Sequence, residues 1–174
     1  FFFSALFCTI SCSALYPTSS PGILFIFWEI GFIAIVVFAM AFSTVFFKSV
    51  KATLYGILVF FAGYFITFAA EYDIGNGGTI RLLCLHPVAC LAYGLQIIGL
   101  YEDANLGVTR STFNVTDNPS GLTFGGCIGS FFFDSIFWGV VMWYLNRTVK
   151  GDLGQALPWY FPFQISYWCR NDEN

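Results

Sequence analysis

The sequence has few charged residues and a single histidine, and these scarcities exclude several classes of protein. Charged residues make up 10% of the 174 residues, compared with about 25% in a soluble domain. His86 is the only histidine, and the six cysteines include no CxxC pair. Zinc ligation by Cys and His, or catalysis by a His-based pair, would therefore lack partner residues. We predict no metal site and no catalytic residue in this chain.

Motifs for phosphate and nucleic acid binding are absent as well. The sequence contains no GxxxxGK[ST] loop that could hold a nucleotide phosphate. It also lacks the mixture of basic and aromatic residues that is typical of a nucleic acid surface. We therefore expect neither a cofactor in this chain nor a nucleic acid partner.

Hydrophobic residues, by contrast, make up 57% of the chain, and 23 residues are Phe. Long runs with almost no charge recur, and about 20 such residues cross a hydrocarbon core as a helix. The sequence thus predicts an all-α integral membrane protein with about four transmembrane helices. The predicted crossings are residues 1–16, 23–47, 52–70 and 122–145.

The first of these runs is short for a full crossing. Neither Met nor a basic region precedes it, so no cleavable signal peptide is predicted. We expect residues 1–16 to be the end of a longer helix, and the sequence to be a fragment of a longer chain.

A further apolar run, residues 80–101, either crosses the membrane or enters and returns. If it returns, most basic residues share one side of the membrane, with only Arg81 and Arg110 opposite. Those on the shared side are Lys48, Lys51, Arg147, Lys150 and Arg170. The positive-inside rule favours this arrangement, and Pro87 is typical of a broken helix buried against protein. We predict an extracellular or lumenal re-entrant helical hairpin at about 80–101.

This topology assigns a side to each loop. Residues 48–51 and 146–174 are predicted to be cytoplasmic in a multi-pass protein. The sequon at Asn114 falls on the outer side, which predicts a glycoprotein, whereas Asn146 would stay unmodified.

Two carboxylates lie inside the apolar runs, where they are costly and therefore candidates for function. Glu29 is near the outer end of its run and can also reach headgroups or water. Asp134 is close to the middle of its run, so it faces protein or a wet cavity. Asp134 either contacts substrate or ties two helices together.

The sequence does not decide whether one pair of cysteines forms a disulfide. Cys84 and Cys90 could form a disulfide on the outer side, or remain buried free thiols.

The end of the sequence carries an aromatic, proline-marked segment with a recognisable order of motifs. Trp143-Tyr144-Leu145 is followed by a G-x-x-G at 151–154, a P-W-Y-F at 158–161 and an S-Y-W at 166–168. This order resembles the A subfamily of ATP-binding-cassette lipid transporters, in which it joins the last membrane helix of a half-transporter to the nucleotide-binding domain.

Other motifs of that subfamily follow in the same order along the chain. Phe133-Asp134 is similar to its Leu-Asp, and 43–48 resembles its S-T-x-F-F-S-K turn. His86-Pro87-Val88-Ala89 resembles its S-P-V-A, with His in place of the usual small polar residue. Residues 102–107 are similar to its E-x-x-x-L-G.

The resemblance implies helices three to six of a type V exporter-like half domain, with the outer hairpin between helices five and six. Residues 1–147 would be a partial transmembrane domain, and 148–174 a cytoplasmic connector toward a nucleotide-binding domain that is not in this chain. ATP and Mg would bind on that domain, and the partners would be membrane lipids and a second transmembrane half. The implied connector residues are Pro158, Trp159, Tyr160, Phe161, Pro162, Tyr167 and Trp168.

A stiff connector has a physical purpose, because a Pro-fixed segment transmits force better than a Gly/Ser linker. Trp and Tyr also favour the membrane interface, so a plain interfacial anchor is the alternative.

Two other functions remain open at this point. A free-standing four-helix structural subunit of a membrane complex would also lack a nucleotide motif. An ion channel or carrier could be built around Glu29 and Asp134, although the sequence has no second-half repeat of the kind that carriers show. An ATP-driven transporter of phospholipid or sterol is the function that the resemblance implies.

Overall fold

The computed structural model describes most of the chain as α-helix. The described residues are 1–46, 49–71, 77–116, 120–149, 157–164 and 167. The helices are α1 (Phe2–Leu15), α2 (Pro21–Ser43), α3 (Ser49–Glu71), α4 (Gly77–Leu83), α5 (Pro87–Asp103) and α6 (Phe124–Thr148). A single 3₁₀ turn, Phe161–Phe163, follows α6. The predicted all-α class is confirmed.

Within the part of the chain that the structure describes, three helices are long and apolar enough to cross a membrane. Their spanning segments are Pro21–Ser43, Val50–Thr67 and Phe124–Thr148. Helix α1 is also apolar but has 14 residues, about 21 Å at the rise of an α-helix, which is shorter than a hydrocarbon core of about 30 Å.

The helix boundaries follow from local chemistry. Helices α2 and α5 each begin with a proline at the first helical position, where the absent N–H costs no hydrogen bond. Helix α6 is capped by Thr123, the residue before it, whose Oγ1 accepts a 2.9 Å hydrogen bond from the Gly126 N–H.

The predicted crossing at 23–47 extends too far at its C-terminal end. The hydroxyls of Ser43 and Thr44 donate to the carbonyls of Met40 and Ala41 at 2.8 and 2.7 Å. Residue 44 begins a turn, so α2 ends at Ser43 although the apolar run continues.

Helices α2 and α6 form the centre of the bundle and run parallel to each other. The ring centroids of Phe27 and Phe124 are 5.1 Å apart near the start of both helices. Further along, Gly139 faces Val37. Phe27 is completely buried, and it anchors the aromatic core.

Helices α4 and α5 form a hairpin whose turn, residues 84–86, lies deep between the long helices. The His86 ring is 4.8 Å from the Phe38 ring, and the Trp138 indole N–H donates to the Leu85 carbonyl at 3.1 Å. Phe38 is about 25 Å along α2 from Pro21, given 1.5 Å per residue. The turn therefore lies far from the end of the bundle at which α2 begins.

The other end of α5 returns to the end of the bundle where α2 begins. Glu102 binds Thr18 and Ser19 in the turn between α1 and α2, and the Ser20 N–H donates to the Val108 carbonyl at 2.9 Å. Helix α5 thus spans the distance between this turn and the buried hairpin tip.

Candidate functional site

Asp134 lies in α6 and is almost fully buried, with 1% of its surface exposed. Its Oδ2 has no hydrogen-bond partner among the described residues. A buried carboxylate without a partner carries a desolvation cost that a bound cation or donor would relieve. Among the described residues no hydrogen bond through Oδ2 ties α6 to another helix, although this oxygen is buried.

Asp134 forms part of the wall of a cavity of about 500 Å³ between α4 and α6. Four of the lining residues are polar or charged: Arg81, Thr123, Ser130 and Asp134. The cavity runs along α6 from its N-cap to Asp134, about 16 Å at helical rise. Arg81, which the sequence suggested only as an outer-side charge, therefore shares a cavity with Asp134.

Glu29 lies in α2 and does not line this cavity. It is partly buried, and its Oε2 has no hydrogen-bond partner among the described residues. The two intramembrane carboxylates are thus not brought together around one described cavity, which is what a channel or carrier built on both would need.

A second cavity, of about 570 Å³, lies between α2 and α3 and is almost entirely apolar. Its walls include Phe38, Phe42, Gly56 and Phe60, with Ser43 and Thr53 as its polar members. This groove suits hydrocarbon and offers no charged group.

The described part of the connector folds back against the end of α6. Phe161 is completely buried, with its ring centroid 5.3 Å from that of Trp143, 5.8 Å from Tyr144 and 5.0 Å from Tyr167. The Tyr144 hydroxyl donates to the Trp159 carbonyl at 2.9 Å, and the Leu157 N–H donates to the Arg147 carbonyl at 2.9 Å. The connector is therefore a packed extension of α6 over these residues.

The remaining connector residues differ in exposure. Pro158, Trp159 and Tyr160 are exposed, whereas Pro162, next to the buried Phe161, is partly buried. Trp168 lies outside the described residues, as do Lys48, Lys150 and the G-x-x-G at 151–154.

A hydrogen-bonded contact, here called the latch, joins the end of α5 to the turn between α1 and α2. Glu102 accepts hydrogen bonds from the Thr18 N–H at 2.8 Å, the Thr18 hydroxyl at 2.7 Å and the Ser19 hydroxyl at 2.9 Å. Gly107 has φ of +61°, and a Cβ there would collide with the Thr18 carbonyl. Glu102 and Gly107 of the E-x-x-x-L-G motif therefore both serve the contact with Thr18: the first accepts its hydrogen bonds, and the second leaves space for its carbonyl.

The surroundings of Glu102 lower the pKa of its carboxyl group. Removal of water raises the pKa of Glu102, but the hydrogen bonds from Thr18 and Ser19 lower it by more, so the pKa lies below its usual value of 4.5. The ionised form therefore stabilises the latch above about pH 4.5, and this contribution is lost as the pH falls through the lowered pKa.

We expect Glu102→Gln to reduce the protection of the Thr18 amide from hydrogen exchange by about three- to tenfold at pH 6, because the three hydrogen bonds to residue 102 lose their charge assistance. Wild-type protection should fall toward that of the variant below pH 4. Asp103→Asn, at an exposed carboxylate one residue away, is the control and should leave the protection unchanged. Equal loss in both variants would contradict the latch.

The buried hairpin tip depends on a glycine of α3. A Cβ at Gly63 would collide with the His86 ring, whereas a Cβ at Gly56 of the same helix would meet only Phe42 at 3.9 Å. His86 therefore occupies space that Gly63 leaves open, and the histidine in place of the usual small polar residue is accommodated there.

Gly63→Ala is expected to destabilise the protein by about 1–3 kcal/mol, as overpacking does, and Gly56→Ala should have little effect. Adding His86→Ser should restore most of the loss in Gly63→Ala, because the serine vacates the contested space. Thermal unfolding in detergent of the wild type, Gly63→Ala, His86→Ser and the double variant measures this coupling. Additive effects of the two changes would show that residues 63 and 86 do not share this space.

The other predicted features lie as follows. Asn114 is exposed in the loop before α6, as a glycan acceptor requires. Cys84 and Cys90 are both buried free thiols, so no disulfide joins them. Among the described residues no group of three or more His, Cys, Asp or Glu could hold a metal.

The amino-acid sequence of this chain is similar to those of proteins of known activity. The chain is 32% identical over 165 residues to the phospholipid-transporting ATPase ABCA3 of Rattus norvegicus, covering 91% of the chain and 9% of that protein. It is 28% identical over 158 residues to the phospholipid-transporting ATPase ABCA7 of Homo sapiens, covering 89% and 7%. This chain is related to the A subfamily of ATP-binding-cassette transporters. A further A-subfamily relative is the retinal-specific phospholipid-transporting ATPase ABCA4 of Bos taurus, 30% identical over 156 residues, covering 86% and 7%.

The chain spans less than a tenth of the length of these A-subfamily relatives. No family model matches it. The alignments confirm the resemblance that the motifs suggested.

Proposed function

We propose that this chain is a transmembrane segment of an ATP-driven lipid transporter. The observation that carries the proposal is the similarity, along about 90% of the chain, to proteins named phospholipid-transporting ATPases. Three apolar spanning helices and a charged cavity between α4 and α6 support it. Lipid would move along these helices while ATP and Mg²⁺ bind on a nucleotide-binding domain outside this chain.

The proposed topology places the start of α2 and the latch on the outer side, and the connector in the cytoplasm. Helices α4 and α5 then form a re-entrant hairpin that enters from the outer side. Support comes from the contact between Glu102 and Thr18 and from the contact between Trp138 and Leu85, which lie at the two ends of α5. Asn114 would be glycosylated on the outer side.

The first experiment is the mass of the native polypeptide on a denaturing gel, with tryptic peptides matched to this sequence. We expect a chain well above 19.5 kDa, with peptides from a domain that carries a phosphate loop. A chain near 19.5 kDa would instead favour the free-standing structural subunit.

The second experiment tests transport. The full native polypeptide is placed in phosphatidylcholine vesicles, and ATP-dependent movement of a fluorescent phosphatidylcholine between leaflets is measured. Asp134→Asn is expected to slow this movement about tenfold, because a charge-assisted contact contributes roughly 1.5–3 kcal/mol. The exposed Asp103→Asn is the matched control and should move lipid normally. Normal lipid movement in a folded Asp134→Asn variant would mean that Asp134 plays no part in the lipid path.

A further inference from the structure

The described part of the connector turns back along α6 instead of continuing away from it. The Leu157 N–H donates to the carbonyl of Arg147, which lies in the last turn of α6, at 2.9 Å. Two residues later, the Trp159 carbonyl accepts a 2.9 Å hydrogen bond from the Tyr144 hydroxyl. The Phe161 ring then stacks on the Tyr144 ring. The connector therefore returns toward the middle of α6 by three residues of helix, about 4.5 Å.

The outer surface of α6 changes from apolar to polar close to this point. Between Phe132 and Val140 every exposed side chain of the helix is apolar, whereas the next exposed residues are Asn146 and Arg147. Helix α6 has 25 residues, about 37 Å at helical rise, and a hydrocarbon core is about 30 Å thick. With the excess shared between both ends of the helix, the hydrocarbon ends near residue 146. The helix length and the polarity change thus indicate the same boundary, and the connector returns across it.

Three exposed aromatic side chains, here called the aromatic patch, lie on this returning segment. Trp159, Tyr160 and Phe163 are 72%, 45% and 86% exposed, whereas Phe161 between them is buried. The rings of Trp159 and Tyr160 are 5.6 Å apart, edge to face. Trp and Tyr are enriched where a protein meets the headgroup layer, because their rings are apolar and their N–H or O–H can stay in contact with water. The composition of the patch is therefore typical of a membrane interface.

The position of the patch favours lipid over a soluble protein domain as its partner. Phe133, Phe137 and Val140 are exposed and follow one another at three- and four-residue spacing, so they share a face of α6. Tyr144 continues this line by four residues, and Phe161 stacks on it with 18° between the ring planes. The patch is thus continuous with the apolar face that α6 presents to the bilayer. A domain in the water would have to displace lipid to reach it.

We infer that the aromatic patch inserts into the headgroup–acyl boundary of the leaflet at the C-terminal end of α6. The partner is the lipid surface itself, and Phe161 sets the depth of insertion by packing on α6. The inference does not rest on the proposed function, because it follows from the place of the connector on a membrane-spanning helix. It gives the connector two attachments, since α6 holds Phe161 while the leaflet holds the patch.

Photo-crosslinking in the full native polypeptide, placed in phosphatidylcholine vesicles without ATP, locates the patch. The photo-reactive residue p-benzoylphenylalanine replaces Trp159 or Phe163, one position at a time, and mass spectrometry of the peptides identifies what it joins. Two exposed reference positions receive the same residue: Phe133 on the apolar face of α6, and Asp103 at the end of α5. We expect phospholipid adducts at 159 and 163 within about threefold of those at 133, and about tenfold or more above those at 103.

A second change tests what sets the depth of the patch. Phe161→Ala, combined with the probe at Phe163, should lower the phospholipid adduct about threefold or more, because α6 no longer holds the segment. Phe161→Leu keeps a large apolar side chain and is the matched control, which should retain most of the adduct. A full adduct with Phe161→Ala would show that α6 does not position the patch.

The remaining contrary results also overturn the inference. Adducts at 159 and 163 with another part of the polypeptide would assign the patch to a protein interface. Adducts as rare as those at Asp103 would place the patch in water. These outcomes are separate from those of the transport experiment, because an inserted patch labels lipid even in a protein that moves no lipid with ATP.

Discussion

Gly94→Ala is expected to destabilise the protein by about 1–3 kcal/mol, as overpacking of a filled core does. Gly94 lies in α5, and a Cβ there would collide with the ring of Phe27. That ring cannot move easily, because it is completely buried and has ring neighbours at 5.1 Å in Phe124 and 5.6 Å in Phe131. The added methyl group therefore displaces α5 from α2.

Gly99 of the same helix provides the matched control. A Cβ at Gly99 would meet no atom within 4 Å, so Gly99→Ala should be neutral or stabilise the helix by up to about 1 kcal/mol. Thermal unfolding of the two variants in the same detergent compares them directly. Equal stability of both variants would show that Gly94 is not required for close packing against Phe27.

The second large effect is expected at Phe161 in the connector. Its ring is buried against Trp143 and Tyr144 of α6, and interface aromatics of this kind often contribute about 2 kcal/mol or more. Phe161→Ala should release the connector from α6. Under the proposed function, the full native polypeptide with this change should still hydrolyse ATP, while the lipid moved per ATP falls severalfold. The reason is that a loose segment transmits less displacement than a packed one.

Phe163 is the control, because it lies in the same 3₁₀ turn and is 86% exposed. Phe163→Ala should leave the ratio of transport to hydrolysis unchanged. Replacing Pro158 and Pro162 with alanine tests the stiffness alone and should lower the ratio less than Phe161→Ala does. An unchanged ratio in all of these variants would leave the connector as an interfacial anchor.

The sequence predicts the long helices well because apolar runs and prolines determine them locally. The predicted runs correspond to α1, α2, α3 and α6, and Pro87 lies at the start of α5 as the predicted break required. Helix α2 ends at Ser43, whereas the apolar run from which the crossing was predicted continues to residue 47; the Ser43 hydroxyl bonds back to the Met40 carbonyl at this point.

Contacts between distant residues could not be predicted in this way. Thr18 and Glu102 are 84 residues apart, and no periodicity connects them. Asp134 was found because a carboxylate in an apolar run is conspicuous. Arg81 was missed as a cavity residue because its role depends on where α4 packs against α6. The E-x-x-x-L-G motif was the one available signal for the latch, and its mechanism emerged only with the positive φ of Gly107.

Helix α5 is held at both ends, by Glu102 at the turn between α1 and α2 and by the contact of Leu85 with Trp138 deep in the bundle. A rod fixed at two points cannot tilt or slide without breaking one of its fixings. A shift of α6 at Trp138 must therefore either move the turn at Thr18 or break the hydrogen bonds of the latch. Helix α5 thus acts as a strut that couples motion inside the bundle to the turn at its end.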